Sequence, residues 1–542
     1  VLNTDNETTL IFFVLLFLAN LFIYAGSYTD KLNIEHDLAY WINNSVSLKL
    51  GFPPENLFMA GTKLQYHYFS SVQIAFTSLI YDIDVYTLSV PFYVITKTVI
   101  MIGAVDFFLE IFKVDVKGKI LGFIIILFTT GFENFSIVTY FSHILLLPFG
   151  FDIGFAYGIL FLTLLYYQWL HEFNFKIFLL ASLFWFVCIG AKAPVASILL
   201  LTTAFLCLNK LFEKKVVLPL VYGFSMLGIF IFISIYFVGL LSVAEATNGA
   251  YYIKFHTLSE MAITVKGIKI PLFLSIFLKL LSLNFFYFVM LGISFSLLVL
   301  FVRKKNISKN ELYFILSMFY SHILGILLWI IIKADGKSEM YYAMGSFIPL
   351  YFIFVIIYNK GRLYISNNGK VILKKEYIYA IFSILVFFGV ECFLFFPYGT
   401  NIFYITGRNI INFVQNNNSC NTIAFEWIRK NSKKTAIVVS DAVFVNNYSY
   451  VCGILTERQQ YLESYHMLRF AGIDIQNEIK RRKRLIQNIF NNDVRALIEL
   501  RSEIGAGNYI VQNVTVTPDF IYNEELLLPV FESDKFRVFK IK

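Results

Sequence analysis

The chain has 542 residues, of which 58% are hydrophobic and only 15% charged, with 61 Phe and 34 Tyr, against roughly 25% charged in an ordinary soluble domain. Such a chain cannot cover its surface with polar side chains, which excludes a wholly soluble protein and indicates a polytopic helical membrane protein. The formal net charge of +9 sits mainly in short connections between apolar stretches, a topology signal rather than a nucleic-acid footprint.

A helix needs about 20 apolar residues to cross a bilayer. In chain order, stretches of that kind fall near 9–26, 86–108, 119–139, 152–169, 174–190, 193–209, 216–240, 270–301, 311–333, 342–358 and 373–396, so about eleven spans are expected. The first lacks a basic leader and a small-residue cleavage site, and reads as a retained helix. The stretch 174–209 reads either as two spans or as one broken hairpin. With the N-terminus inside, the loops near 110–118, 170–176, 210–215, 302–310 and 359–374 are cytoplasmic. They carry Lys113, Lys117, Lys176, Lys210, Lys214, Lys215, Arg303, Lys304, Lys305, Lys309, Lys360, Arg362 and Lys370. The opposite short loops near 140–151 and 334–341 carry only Lys337. The positive-inside rule therefore places the C-terminal tail outside a cell membrane.

Two outside segments are long. The first, 27–85, mixes apolar and polar residues and suggests short helices at the membrane surface; its part 66–82 reads alternatively as a continuation into the second span. The second, 241–269, contains Glu245, Lys254, His256 and Glu260 and has the character of a lid or groove wall. The tail differs in kind: AFEWIRK from Ala424 reads as a helix, TAIVVS from Thr435 as a strand, 468–504 as a charged helical region, and NYIVQNV from Asn508 and FRVFKIK from Phe536 as strands. Alternating strands and helices indicate a soluble α/β domain, without GxGxxG or GxxxxGK. Gly505 and Gly507 read as helix terminators. The expected division is a transmembrane core over 1–397 and an outside domain over 398–542. Of five cysteines, Cys420 and Cys452 could form one disulfide in an outside tail, and no CxxC or metal motif is present.

In the first loop Glu35 and Asp37 flank His36. A solvated loop accounts for these acids equally well; folded over a pocket, either could take a proton from a hydroxyl. Tyr66, His67 and Tyr68 read as an interface anchor or as hydrogen-bonding groups. Lys192, between apolar runs, must snorkel, pair or line a cavity, or else sit in an outside turn. Glu133, His143 and Asp152 lie near span ends on the same side. In the tail, Glu457 and Arg458 read as surface pairs, the charge run 469–483 as a solvated helix face, and Trp427 as core.

His36-Asp37 with GFPPENLFMAGTKLQYHYF, from Gly51 to Phe69, resembles the acidic first loop of bacterial and archaeal membrane glycosyltransferases of the GT-C superfamily, with its Pro-Pro-Glu segment, Ala-Gly turn and Tyr-His-Tyr run. In the tail, EWIRKNSKKTAIVVSD and ERQQYLE resemble that family's outside domain, and KADGKSEMYYAMGSFIP resembles a segment near its lipid phosphate. The resemblance implies a GT-C-like core and transfer of sugar from a polyprenyl-phosphate carrier to an acceptor hydroxyl on a glycan, lipid or protein, in cell-surface glycan assembly. It implies Asp37, with Glu35 as competitor, as the loop carboxylate that acts as base on the acceptor. It implies Lys337, with Tyr341 and Tyr342 beside it, as the phosphate contact. His67 and Tyr66, Lys192, and Lys254 with His256 are the further candidates for substrate contacts. The family often places a histidine just after the acid, where Tyr40 stands here and His36 precedes it, which leaves Glu35 and Asp37 both open. Some members use a divalent metal ion; this chain shows no clear ligand set and no other cofactor is expected. The alternatives are a lipid-linked saccharide transporter or flippase, which should show repeats and broken midplane helices, and a non-catalytic assembly protein.

Overall fold

A computed structural model of the protein describes residues 9–11, 13–14, 17, 36–64, 68–116, 118–120, 122–123, 149–171, 173–212, 217–236, 254–255, 264–265, 268–269, 271, 307–333, 340–368, 423–441, 451–463 and 473–542. The chain divides into two compact units, one of residues 1–23, 95–236 and 252–407, the other of 24–94, 237–251 and 408–542.

The second unit begins with α1 (His36–Leu50) and α2 (Phe69–Tyr81), and takes in the first turns of α3 (Val85–Ile111). α2 ends at Asp82 in a left-handed conformation, and Asp84 caps α3 by accepting from the backbone N–H and hydroxyl of Thr87. The segment 66–82 therefore does not run on into the next helix.

The first unit is a helical bundle: the rest of α3, then α4 (Phe149–Leu170), α5 (Phe175–Ala191), α6 (Ala193–Phe212), α7 (Val217–Tyr236), α8 (Lys309–Ile331) and α9 (Met340–Asn368). Among the described residues four helical segments are long and apolar enough to cross a membrane, namely Asp152–Leu170, Ala193–Phe212, Lys309–Ile331 and Tyr342–Lys360, which makes this a multi-pass membrane protein. On α7 the side chains of Leu220, Phe224, Leu227 and Ile231 are exposed, spaced three and four apart. Such a stripe would be costly in water and is at home against lipid. The proposed spans near 9–26, 119–139, 270–301 and 373–396 lie wholly or mostly outside the described residues.

Local chemistry sets the helix ends. Asn174 caps α5 by accepting from the N–H groups of Lys176 and Ile177, and it is itself held by Gln168 at the end of α4. Ser308 and Glu311 form a capping box at the start of α8. The bundle has two distinct ends. At one, Lys210 donates to Asn310 at 2.6 Å and lies over the Trp169 ring, Lys360 pairs with Glu311 at 2.8 Å, and Asn359 donates to the carbonyl of Phe112. The five loops expected to share the cytoplasmic side thus gather at one end. Helices α3, α4 and α6 end there and α8 begins there.

The tail of the second unit holds α10 (Ile423–Asn431), α11 (Val451–Thr456), α12 (Ile473–Phe490) and α13 (Val494–Ile504). Its sheet has the order β6-β5-β7-β9-β8, with β5 Ile437–Ser440, β6 Gln459–Gln460, β7 Tyr509–Asn513, β8 Leu527–Glu532 and β9 Phe536–Ile541. β5 runs parallel to β6 and β7, while β9 is antiparallel to β7 and β8. The charged helical region is two helices, because Asn492 turns at φ 69° and Asp493 caps the second. Gly505 and Gly507, both at positive φ, end α13 as expected. Trp427 packs on Tyr509 and Phe531. Cys452 is a buried free thiol rather than half of a disulfide.

The first loop is built onto this tail, so the segment 24–94 groups with 408–542 and not with the membrane bundle. Leu57 and Ala60 exchange backbone hydrogen bonds with Gln460, and Phe58 accepts from the N–H of Glu463. Arg482 donates to the carbonyls of Ala60 and Tyr461 and lies over the Tyr461 ring. Glu457 and Arg458 are buried, not surface pairs. Glu457 bridges Lys49 at 2.7 Å and the N–H of Val85 at 2.6 Å. Arg458 donates to Ser432 Oγ and to four backbone carbonyls. Sequence separation hides these contacts from any local pattern. Removing one partner of a buried ion pair strands the other, so Glu457→Ala is expected to cost about 3 kcal/mol. Pairing Glu457→Leu with Lys49→Met should recover part of that loss in thermal melts in detergent.

Candidate active site

Asp37 stands in the first turn of α1, one residue after its start at His36. Glu35, Tyr66, His67, His256 and Lys337 lie outside the described residues, as do Glu133 and His143. The loop beneath α1 is fixed by buried apolar residues Leu57, Phe58 and Met59 and by the tail contacts above. Glu463 lies at the centre of that support: its carboxylate accepts from the N–H groups of Cys452 and Gly453, both at 2.8 Å. Burial pushes it up to about 8, because charge is costly away from water. A Cβ on Gly453 would stand 2.9 Å from Glu463 Oε2 and 3.0 Å from Leu57, so only glycine lets α11 approach the loop this closely. Burial also pushes the Tyr68 phenol up.

The end of the bundle opposite the basic loops is a second polar region, within the first unit. Lys192 is a single extended residue between α5 and α6 and is buried. It is therefore neither a solvated turn lysine nor a midspan lysine, but a cation at the joint of two antiparallel helices. α4 makes this possible, since a Cβ on Gly154 would stand 2.7 Å from that of Lys192. Asp152, also buried, lies two residues before Gly154. The start of α9 meets the same end: Gly345 packs on Val195, and Gly325 of α8 packs on Ser346 and the carbonyl of Tyr342. His322 contacts the carbonyl of Ser346 through Nδ1 at 2.9 Å. Tyr341 and Tyr342 open α9 here, with Tyr342 half-buried. α8 continues directly into β4 (Ile332–Lys333), which pairs antiparallel with β1 (Lys254–Phe255), and Lys254 is the register partner of Lys333. The two loops singled out for Lys254 and Lys337 are thereby joined at their roots. β2 (Thr264–Val265) and β3 (Ile268–Lys269) form a separate ladder further along the same loop.

The structure thus groups Lys192, Lys254 and Tyr342 with the bundle end, and places Asp37 on the tail-supported loop. The sequence reading missed Lys333, which looks like an ordinary lysine ending a span. Among the described residues no three His, Cys, Asp or Glu side chains gather as a metal site.

No protein-family model matches the chain, and no curated protein matches it in sequence. Solved structures match over most of its length. The apo oligosaccharyltransferase of Archaeoglobus fulgidus matches at 12% identity and a TM-score of 0.49, covering 93% of this chain and 69% of that one. The archaeal oligosaccharyltransferase AglB of the same organism, in complex with an inhibitory peptide and a dolichol-phosphate, matches at 10% identity and a TM-score of 0.45 with the same coverage. ArnT from Cupriavidus metallidurans in the apo state matches at 9% identity and a TM-score of 0.43, covering 97% of each chain. At these scores the likeness fixes neither substrate nor activity.

The contact between Gly154 and Lys192 is directly testable. Gly154→Ala should overpack the joint and cost about 1–3 kcal/mol, with a lowered melting temperature in detergent. Gly228→Ala in α7, where a Cβ would meet nothing within 4 Å, should be neutral or gain up to about 1 kcal/mol from helix propensity.

Proposed function

We propose that the chain is a membrane glycosyltransferase of the GT-C kind, moving a sugar from a polyprenyl-phosphate carrier to an acceptor hydroxyl on the extracytoplasmic side. The observation that carries this reading is the state of the acid-bearing loop. Asp37 opens a helix whose far end is pinned by Lys49 to buried Glu457, an investment of structure that a merely solvated loop does not need. The resemblance of Gly51–Phe69 and of ERQQYLE to the GT-C loop and outside domain falls on the two segments that bind each other.

In this mechanism Asp37, with Glu35 as the alternative, accepts the proton of the acceptor hydroxyl as its oxygen attacks the anomeric carbon. The bond from that carbon to the phosphate oxygen breaks, and the carrier phosphate leaves with the bonding pair. A single displacement inverts the anomeric centre. Negative charge grows on the leaving phosphate, so cations aimed there lower the barrier. Lys337 is assigned that role, with His67 and Tyr66 as hydrogen-bonding partners and Lys192, Lys254, His256, Tyr341 and Tyr342 as further substrate contacts. The acceptor is a cell-surface glycan, lipid or protein.

Purified protein should consume polyprenyl-phosphate sugar and form glycosylated product detectable by mass spectrometry. Asp37→Asn should slow transfer roughly 100-fold or more, the span of general-base catalysis. Full activity in Asp37→Asn with loss in Glu35→Gln would move the base one position pair upstream, and an untouched donor across a panel of sugars would sink the reading. The orientation proposed is N-terminus inside and tail outside. In a Cys420→Ser background, Phe212→Cys at the basic end should resist an impermeant maleimide until cells are opened, whereas Lys434→Cys should label at once.

A further inference from the structure

Of the two short helices in the first loop, α1 is buried throughout 41–47, whereas α2 has two unlike sides. Ser70, Ser71, Ile74, Ala75 and Ser78 are buried. Val72, Phe76, Leu79 and Ile80 are exposed, Phe76 at 63% and Ile80 at 59%. At 3.6 residues per turn these four fall within an arc of about 100°. The polarity is inverted: serines are turned into the protein and large apolar side chains out of it. Small buried residues let α2 lie close on α1, and Ser71 donates to the carbonyl of Trp41. From Phe69 to Tyr81 the helix carries no charged residue. The tail of the same unit meets its surroundings differently, since α12 and α13 expose Lys480, Arg484, Arg495 and Glu499.

A contiguous apolar face of this kind marks a contact surface, and three observations say that lipid covers it. The first is the chain itself. α3 starts after the three-residue turn 82–84 and exposes Ile95 and Val99 where it enters the helical bundle of a multi-pass membrane protein. The second is the return of charge at that turn. Tyr81 and Asp82 are exposed and Asp84 pairs with Arg429 at 3.2 Å, an order of aromatic then charge that suits the boundary between headgroups and water. The third is length. With 13 residues, α2 is about 20 Å long, short of the ~30 Å hydrocarbon core. It cannot span, and an amphipathic helix of this kind lies along the interface instead.

We infer that α2 is an in-plane membrane anchor, whose face of Val72, Phe76, Leu79 and Ile80 lies among the acyl chains of the leaflet on the tail's side. The first loop is then held from two directions, by Glu457 of the tail and by lipid through α2. The anchor goes beyond the transferase reading and does not depend on it.

The test uses the full-length protein in nanodiscs of phosphatidylcholine and phosphatidylglycerol. Single cysteines carry a nitroxide label in a Cys392→Ser/Cys420→Ser background, where Cys188, Cys207 and Cys452 are buried. Collision rates are then read with oxygen, which concentrates among acyl chains, and with a nickel chelate, which stays in water. Labels on Phe76→Cys and Ile80→Cys should collide more with oxygen than with the chelate, and labels on Lys434→Cys and Lys480→Cys should show the reverse. If the labelled variants do not fold, Phe76→Trp serves: the emission it adds over wild type should be lost when the acyl chains are brominated. Chelate collisions that dominate at 76 and 80 would place the face in water. Shielding from both reagents would place it against a second copy of the chain. Either result overturns the anchor, as does added emission from Phe76→Trp that bromine leaves unquenched. None of these readouts needs turnover, so a failure of the transferase reading leaves them intact.

Discussion

Glu457 joins parts of the chain that are 408 residues apart, and the first loop depends on that tie. α1 and α2 have only 15 and 13 residues, lengths that are marginal for an isolated helix in water. Their stability must come from packing, and the tail supplies it through Leu57, Phe58 and Met59 and through the backbone exchange with Gln460. Ion pairing alone would add little, since desolvating Glu457 and Lys49 offsets much of their attraction. What the pair contributes is position. Its second oxygen also takes the N–H of Val85, so one carboxylate fixes the end of α1 and the start of α3 together. Glu457 does this from a left-handed backbone at φ 48°, a conformation that costs a residue with a Cβ roughly 1–2 kcal/mol and that the surrounding contacts offset.

The membrane bundle obeys a different constraint. With no water to satisfy backbone groups, its helices must close their own hydrogen bonds, and polar side chains collect where helices end. The two ends are not equivalent. One gathers Lys210, Lys360 and Glu311 into paired contacts with Asn310, Trp169 and each other. The other gathers a buried lysine at a helix joint, a buried aspartate, a tyrosine at a helix start and the short ladder of β1 and β4. Ion pairs at the first end tether loops. At the second end Lys192 is held at a helix joint by close packing against Gly154.

Much of this was legible in the sequence wherever a short-range pattern carries the physics. The spans near 86–108, 152–169, 193–209, 216–240, 311–333 and 342–358 appear as α3, α4, α6, α7, α8 and α9, because hydropathy over about 20 residues is what lipid selects. The stretch 174–209 proved to be two helices, α5 and α6, and Lys192 was the visible mark of the break. β5, β7 and β9 were legible as β-branched and aromatic runs. β6 was not, since two glutamines carry no strand signal and pair only because β5 lies alongside, and β8 was hidden by Pro529 and a bulge. The burial of Glu457 and Arg458 and the remote contacts of Arg482 were illegible for a different reason. Charged residues in a polar tail look solvated until the remote segment that covers them is known.

The polar groups of α1 follow an order that local electrostatics explains. A helix is positive at its first turn and negative at its last. Asp37 occupies the first turn, the neutral Asn43, Asn44 and Ser47 the middle, and Lys49 the last turn. A carboxylate is favoured at the positive end of a helix, where N–H groups stabilise its charge. A carboxylate at position 43 or 44 would be fully buried and would tend to neutralise. Amides suffer no such penalty, because they hold no charge to desolvate and need only partners. A lysine at the last turn is favoured by the dipole and is the group a distant glutamate can grip. The helix can therefore carry an acid in its first turn, neutral amides in its buried middle and, in its last turn, the lysine by which the tail holds it, provided the three chemistries keep this order along its axis.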